Sequence, residues 1–374
     1  MRWMVLVVLA GMVFGCSTVS RRSIEDIESA DRIMDLAGDW TVSLDPEDIG
    51  QSQQWYERPL DSEQTIHLPG SLQAQGYGND VSAETQWTLS MWNKGWQEEE
   101  KYKKHLQGND IKVPFCLQPV KHYVGKAWYS REFDIPAEYE GKNVTLTLER
   151  SHWEANVWID GKPAGTANSL CTPNRFEIGS LSPGTHRITL CIDNTMKINV
   201  GTDAHSVTDH TQTNWNGMIG TIQLQARGRL VIDDVQVYPD IETKQALVRG
   251  TILNNSNSDM KAIITLDAKT IHGRRHDPDS ISESVDLSPG ENHFEMTYDM
   301  GQSCVLWDEF SPNVYEMKAA VHASDMQDSK TVSFGMRQFR AQGTQFAING
   351  RKIFLRGTLE CCIFPLTGYP PTDV

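Results

Sequence analysis

The sequence predicts a mainly β protein built from two successive sandwiches. Three observations lead to this class. Short segments alternate apolar and polar residues with the period of a half-buried strand, turn residues separate these segments, and long stretches of helical periodicity are nearly absent. The 374 residues leave room for two or three domains of ordinary size.

The composition is that of a soluble globular protein, with 39% hydrophobic and 22% charged residues. The formal net charge of −15, from 34 basic and 49 acidic residues, argues against nucleic acid or an anionic membrane surface as a partner. The 11 tryptophans suit either sandwich cores or platforms on which sugars stack.

Residues 1–15 are typical of a targeting segment, with Arg2 followed by an apolar run too short to span a bilayer. The ending Val-Phe-Gly-Cys resembles a bacterial lipobox, which implies lipidation at Cys16, a polar tether over 16–30 and anchoring in the cell envelope, with Ser17 favouring the outer membrane. The alternative is an ordinary secretory peptide in which Cys16 is incidental.

A first β-domain is predicted over 31–227. Its predicted strands include Tyr129–Ile135, where Tyr129, Phe133 and Ile135 share one face, and Val144–Leu148, which alternates aliphatic residues with threonine. Asp160-Gly161 signals a hairpin turn. These short strands predict a two-sheet sandwich.

A second β-domain is predicted over 228–335. About 105 residues with some seven turn-separated strands fit an immunoglobulin-like sandwich, although the Cys-Trp-Cys spacing of antibody domains is absent. We find no internal repeat.

The segment 336–374 begins with two short strands around an Asn349-Gly350 turn and continues into a loop. A strand that opens a new domain and is followed only by loop residues cannot bury its own faces. We therefore expect this chain to be the front part of a longer protein.

Six cysteines follow Cys16, and Cys171 with Cys191 is the first pair to test for a disulfide. Domains of this size are stable without disulfides, so we expect mostly free thiols. No zinc-type spacing is present, and the polar run of Asp203, His205, Asp209 and His210 matches no defined metal site. We predict neither metal nor cofactor.

Several motifs occur in a fixed order along the chain. They are Trp128–Phe133 (WYSREF), Val157–Lys162 (VWIDGK), Asn214–Gly220 (NWNGMIG), Leu306–Tyr315 (LWDEFSPNVY), Phe334–Arg337 (FGMR) and Ile348–Gly357 (INGRKIFLRG). Together they resemble the front of glycoside hydrolase family 2, which includes β-galactosidases, β-glucuronidases and β-mannosidases.

The resemblance implies a jelly-roll sugar-binding domain, an immunoglobulin-like domain and then a catalytic TIM barrel, of which 336–374 would be the truncated start. Such a barrel needs about 250 residues, and only its first strand fits here. The family hydrolyses terminal β-glycosidic bonds with retention, using two carboxylates on later barrel strands. No catalytic residue is therefore assigned in this chain, which alone is expected to be inactive.

Candidate carbohydrate contacts come from three places. Asn214, Trp215 and Asn216 lie on a loop that in the family reaches toward the barrel mouth, and amide and indole groups suit sugars. Arg356 would lie on the second strand of the Asn349-Gly350 hairpin, as the first barrel strand, and Glu360 just past it, both at that mouth. The alternatives are an ion pair for Arg356 and a solvated carboxylate for Glu360. Trp92 and Trp96 lie in a predicted insertion over 86–118 and would form a sugar platform or pack onto their own sandwich. For Asn216-Gly217, the alternative is a turn that needs positive φ.

Three functions remain open on the sequence alone. The first is the N-terminal part of a family 2-like glycosidase acting on a carbohydrate substrate, with the missing barrel as intramolecular partner. The second is a non-catalytic carbohydrate-binding surface lipoprotein, and the third is a structural or adhesive sandwich protein.

Overall fold

The computed structural model describes residues 32–82, 84–85, 98–104, 120–199, 201 and 214–359. Two compact units divide the chain, the first over Asp31–Gly228 and the second over Arg229–Leu355. Cys16, Trp92, Trp96, Glu360 and the run from Asp203 to His210 lie outside the described residues.

The first unit contains eleven described strands. They are β1 (Arg32–Asp35), β2 (Gly38–Asp45), β3 (Thr65–Leu68), β4 (Gly70–Ser71), β5 (Lys126–Ile135), β6 (Asn143–His152), β7 (Glu154–Ile159), β8 (Lys162–Ala167), β9 (Asn174–Gly179), β10 (Gly184–Asp193) and β11 (Gly217–Arg227). A short helix, α1 (Glu100–Lys103), falls in the predicted insertion.

These strands form two antiparallel sheets. One has the order β1-β11-β6-β9, with β4 also paired to β11, and the other has the order β3-β2-β5-β10-β7-β8. The core lies between inward side chains such as Trp40, Tyr129 and Leu146, all at most 1% exposed. Burying a large side chain of this kind stabilises the fold by about 1.5–3 kcal/mol.

One close backbone approach explains a glycine of the Asn214–Gly220 motif. A Cβ on Gly217 would meet the carbonyl oxygen of Gly70 at 2.3 Å, and Gly217 has φ +148°. Only glycine lets β4 lie this close to the start of β11. Gly217 thus has the positive φ of the alternative interpretation, but it is the first residue of β11 and does not lie in a turn.

The second unit contains ten strands. They are β12 (Leu230–Asp240), β13 (Gln245–Asn254), β14 (Met260–His272), β15 (Ile281–Leu287), β16 (Gly290–Asp299), β17 (Val314–Ala323), β18 (Met326–Phe334), β19 (Phe339–Gln342), β20 (Gln345–Ile348) and β21 (Arg351–Ile353). The sheets β12-β13-β16 and β15-β14-β17-β18 enclose a core that includes Ile264, Tyr298 and Tyr315. In β16, residues 293–298 alternate strictly between exposed and buried, as a half-buried strand requires.

The predicted mainly β fold with two sandwiches is thus confirmed. The Asn349-Gly350 hairpin is also present, with Ile348 opposite Arg351. The prediction that its second strand continues through Arg356 is wrong, because β21 ends at Ile353 and its last partner is Phe346, near the beginning of the four-residue β20. This strand belongs to the small antiparallel sheet β19-β20-β21, and the described residues contain no barrel.

Candidate functional site

A group of buried amide side chains lies inside the first unit, where the chain leaves β10 and enters β11. We call Gln73, Asn194, Asn214 and Asn216 the amide cluster. Each is at most 1% exposed. Buried amides are costly unless their donors and acceptors find partners, so the hydrogen bonds of these residues define their role.

Asn216 is bonded on both sides of its amide. Its side-chain oxygen accepts a hydrogen bond from the Tyr129 hydroxyl at 2.7 Å. Its side-chain nitrogen donates to the carbonyl oxygens of Gly125 and Ile192, each at 3.0 Å. The main-chain N–H of Asn216 donates to the Gln73 side-chain oxygen at 3.2 Å. Asn216 thereby links β5, β10 and the start of β11.

Asn194 and Asn214 bond to each other across the same junction. The Asn194 side chain accepts from the Gly125 N–H at 2.8 Å and donates to the Tyr123 carbonyl at 2.8 Å. It also donates to the Asn214 side-chain oxygen at 3.0 Å, and the Asn214 side chain donates to the main-chain carbonyl of Asn194 at 3.3 Å. The amides predicted to contact a sugar, those of Asn214 and Asn216, therefore bind protein atoms, and sugar contact by them stays a prediction.

Trp215 is also enclosed. Its side chain stacks on the His152 ring with centroids 4.8 Å apart, and the residue is 4% exposed. The His152 Nδ1 lies 2.5 Å from the Trp215 carbonyl oxygen, and since a carbonyl only accepts, this nitrogen carries the proton. An indole that stacks on a pyranose needs an open face, so sugar stacking by Trp215 stays a prediction as well.

An ion-pair group of Asp193, Lys197 and Glu154 adjoins the amide cluster at Asn194. Asp193, the last residue of β10, receives a 2.6 Å hydrogen bond from Lys197, and Glu154 lies 3.6 Å from the same ammonium. Burial alone would raise the pKa of Asp193, but the hydrogen bonds from Lys197 and Thr195 outweigh it and lower the pKa from its ordinary value. Asp193 therefore stays ionised as a structural acceptor.

Aromatic rings cover the other face of the sheet that contains β5 and β10. This outer aromatic stack consists of Trp55, Tyr56, Trp128 and Trp158. Tyr56 stacks on Trp158 with centroids 4.8 Å apart, and Trp128 stacks on Trp158 at 5.3 Å. This stack was not predicted from the sequence. The only indication of it in the sequence is that Trp128 and Trp158 alternate with the core residues Tyr129 and Val157 and so must face the other side of the sheet.

Asp45 fixes the chain segment that lies over the outer aromatic stack. Its carboxylate accepts the N–H groups of Ile49 and Gly50 at 2.8 and 2.9 Å and the Trp128 indole N–H at 2.9 Å. The residue is 2% exposed. Trp55 and Tyr56 are partly exposed and pack against Trp128 and Trp158, which are buried, so those two inner rings are not open to a sugar.

The second unit carries a shallow polar groove of about 400 Å³ on the outer face of β12, β13 and β16. Two rows of side chains border it. They are Asp234, Thr251 and His293 in one row and Gln236, Arg249 and Glu295 in the other. Arg249 and Glu295 are 2.6 Å apart, so their two charges neutralise each other.

Arg356 is exposed and lies outside any strand. Cys171, Cys191 and Cys304 are free thiols, so no disulfide joins Cys171 to Cys191. Within the described ranges, no group of three His, Cys, Asp or Glu side chains is arranged to hold a metal, and no helix is long and apolar enough to cross a bilayer.

Two family models match the chain in the order of its units. The sugar-binding domain of glycosyl hydrolases family 2 matches residues 33–95, and the glycosyl hydrolases family 2 model matches residues 230–337. The matched residues carry two domains of glycoside hydrolase family 2. The motif-based resemblance is thereby confirmed.

Curated family 2 relatives are distant but extend over most of the chain. The β-galactosidase large subunit of Latilactobacillus sakei is 20% identical over 89% of this chain and 51% of its own length. The β-glucuronidase of Paenibacillus borealis is 19% identical over 87% of this chain and 48% of its own length. The chain therefore spans about half the length of the curated relatives that it matches.

Solved structures agree with this fold. The β-glucuronidase of Ruminococcus gnavus matches with a TM-score of 0.58 and 16% identity, covering 87% of this chain and 48% of that one. The β-glucuronidase 2 of Bacteroides uniformis, covalently bound to cyclophellitol-6-carboxylate aziridine, matches with a TM-score of 0.60 and 18% identity over 87% and 35%. At such identities the likeness extends to the fold alone.

Proposed function

We propose that this chain is the N-terminal part of a retaining β-glycoside hydrolase of family 2, whose catalytic carboxylates lie outside the chain. The observation that supports this most directly is the order of the two family matches, a sugar-binding domain followed by the glycosyl hydrolases family 2 model. The chain also spans about half of a β-galactosidase large subunit and of a β-glucuronidase.

Each part of the polypeptide has its own role in the proposed enzyme. Retention requires two carboxylates about 5–5.5 Å apart, one as nucleophile and one as acid and base. In our proposal another domain supplies both, the first unit shapes one side of the sugar pocket, and the second unit acts as a spacer. The amide cluster then contributes indirectly, because it fixes the residues at the two ends of the 194–216 segment.

The test compares the 374-residue chain with the complete product of its gene. Both are assayed on aryl β-galactosides, β-glucuronides and β-mannosides, and the anomer released first is identified by NMR. We expect hydrolysis with retention by the complete product and none by the chain. Hydrolysis by the chain alone, or inversion by the complete product, would contradict the proposal.

A second candidate is a non-catalytic carbohydrate-binding lipoprotein, favoured by the match of the sugar-binding domain at residues 33–95. Isothermal titration of the chain with galactosides, glucuronides and mannosides distinguishes the two. Saturable binding by a gene product that is inert on every aryl glycoside would support this candidate.

We also propose that the protein is anchored in the bacterial envelope, through lipid on Cys16. This rests on the sequence pattern at Val13–Cys16. Labelling with radioactive palmitate should mark the wild-type protein and leave Cys16→Ser unmarked, and a labelled variant would contradict the assignment.

A further inference from the structure

The polar groove of the second unit has no role in the proposed function. It lies on the outer face of the sheet β12-β13-β16 and has a volume of about 400 Å³. Its two rows of side chains each cross all three strands, so the groove extends over two strand spacings, about 10 Å. A groove of this length suits a short linear molecule laid across the strands.

The local backbone shapes this groove. One extra residue lies in β12 between Ile232 and Asp234, and such bulges re-aim side chains and are frequent beside binding sites. On the next strand, a Cβ on Gly250 would meet the Phe294 ring at 2.4 Å and the Asp234 carbonyl oxygen at 2.6 Å. Gly250 and Phe294 occupy inward-facing positions and line the groove, so they form its floor.

The walls of the groove hold hydrogen-bonding groups in fixed positions. The Gln236 side chain donates to the Asp234 carboxylate at 2.8 Å and accepts from the Tyr238 hydroxyl. The Thr251 hydroxyl lies 3.2 Å from Nδ1 of His293. Because these side chains orient one another, a ligand would not have to order them on binding.

The charges of the groove disfavour an anionic ligand. The lining residues include two carboxylates, Asp234 and Glu295, and one guanidinium, Arg249, so their formal charge is −1 when His293 is neutral. The guanidinium is already paired with Glu295 at 2.6 Å. A protein partner is also disfavoured, because the centre of a protein interface is depleted in charged residues.

A neutral sugar matches the remaining chemistry. Each sugar hydroxyl donates and accepts, so it can pair with the Asp234 carboxylate, the Gln236 amide and the Thr251 hydroxyl. Tyr238 lies two residues beyond Gln236 on the same face of β12 and is 46% exposed. Arg249 lies over this ring, 5.4 Å from its centroid, and holds it in place. An exposed aromatic ring beside aligned polar groups suits a pyranose, which has both an apolar face and hydroxyls.

We propose that this groove binds a neutral oligosaccharide. The inference goes beyond the proposed function, because it gives the second unit a ligand of its own and requires no catalytic residue. In this proposal the second unit holds a carbohydrate chain at the protein and is more than a spacer.

The test measures binding of β-1,4-linked cellotetraose, xylotetraose and mannotetraose to the 374-residue chain by isothermal titration calorimetry. We expect saturable binding of at least one of them, with a Kd of roughly millimolar order. Gln236→Ala combined with Thr251→Ala should weaken it about tenfold, because two hydrogen bonds are lost. Thr331→Ala is the matched control, because Thr331 is exposed on β18 of the other sheet of this unit and should leave the affinity unchanged.

Tyr238→Ala is an independent variant, since it removes the ring and leaves both rows of the groove intact. It should also weaken binding, about fivefold. Equal Tm values for the variants and the wild type show that a loss of affinity does not come from unfolding. Tetragalacturonate, an anionic sugar of the same length, should not bind.

Three outcomes would overturn this inference. They are no saturable binding of the three neutral sugars, binding that neither variant weakens more than the control does, and binding of tetragalacturonate as tight as that of the neutral sugars. Hydrolysis is assayed separately on the complete gene product. An inert product whose groove binds a sugar refutes only the proposed function, and an active product whose groove binds none refutes only this inference.

Discussion

Tyr129 donates a 2.7 Å hydrogen bond to the side-chain oxygen of Asn216, 87 residues further along the chain. Tyr129 belongs to the sheet of β2, β5 and β10, and Asn216 precedes β11 of the opposite sheet. Both residues are fully buried. The two layers of the first sandwich are thus joined by a buried polar bond.

Asn216→Ala should destabilise the protein by about 2–4 kcal/mol, because the Tyr129 hydroxyl and the carbonyls of Gly125 and Ile192 would lose a buried partner. Urea unfolding measures the loss. Asn143→Ala is the matched control, since its bond to Glu177 lies at the surface and should cost less than about 0.5 kcal/mol. Equal losses in the two variants would contradict a special role for Asn216.

Asp45→Asn should destabilise the first unit by about 1–3 kcal/mol although it preserves the side-chain volume. Asp45 accepts three hydrogen bonds, from Ile49, Gly50 and Trp128, and an amide group in its place turns one oxygen into a donor that faces another donor. Thermal unfolding measures the loss. Asp61→Asn is the control, because Asp61 is exposed on the same segment and its substitution should be neutral. If Asp45→Asn is as stable as the wild type, the segment after β2 is held by its aromatic residues and not by Asp45.

The contribution of His186 to stability should depend on pH. Its ring nitrogens lie 2.7 Å from the Asp160 carboxylate and 2.7 Å from the Ser182 carbonyl, so only the protonated ring donates to both. Burial alone would lower the pKa of His186, but these two contacts outweigh it and raise the pKa. In the same way, burial alone would raise the pKa of Asp160, but hydrogen bonds from Arg187 and His186 lower it.

The raised pKa of His186 means that its stabilisation is complete below about pH 6.5 and is lost as pH rises through the folded-state pKa. The lowered pKa of Asp160 means that its stabilisation is present above about pH 4 and is lost in acid. His186→Gln should therefore cost about 1 kcal/mol at pH 5 and less at pH 8, measured by urea unfolding. A loss that is the same at both values would refute the charged pairing.

Asn349→Gly should loosen the small sheet without unfolding the sandwich. Asn349 has φ +50°, which glycine tolerates, so the substitution removes only the side-chain bonds to Trp307 and Gln338. We expect a loss of about 1–2 kcal/mol in local protection, seen as faster amide exchange over 345–353. Unchanged exchange there would show that the ion pair of Arg351 with Glu309 suffices to hold the sheet.

The thiols of Cys171 and Cys191 should differ in their reactivity toward an alkylating agent. Cys171 is exposed, whereas Cys191 is buried beside the outer aromatic stack, and burial raises the pKa of its thiol. Iodoacetamide at pH 8 should alkylate Cys171 in the native protein and Cys191 only in denaturant, as read by peptide mass spectrometry. A disulfide-linked peptide that contains both residues would contradict this.

Strand faces and hairpin turns could be predicted from the sequence because they depend on the local alternation of apolar and polar residues. Tyr129, Phe133 and Ile135 face one core, and the Asn349-Gly350 and Asp160-Gly161 turns lie where the pattern of strands requires them. Both properties are encoded within a few neighbouring residues, so a single sequence reveals them.

The partners of the amide cluster could not be predicted in this way. Gln73 bonds to Asn216 across 143 residues and Asn194 to Gly125 across 69, and no local pattern specifies such pairs. The sequence suggested sugar contacts for Asn214 and Asn216 because an amide suits a hydroxyl as well as a backbone carbonyl. Only the fold decides which of these it meets.

The outer aromatic stack gives the first unit an optical signal of its own. Trp128 and Trp158, with ring centroids 5.3 Å apart, are close enough for their transitions to couple and produce a strong near-ultraviolet circular dichroism band. The second unit holds a single tryptophan, Trp307, between residues 229 and 355. Loss of this band would therefore report the melting of the first sandwich without labels, whatever the state of the second.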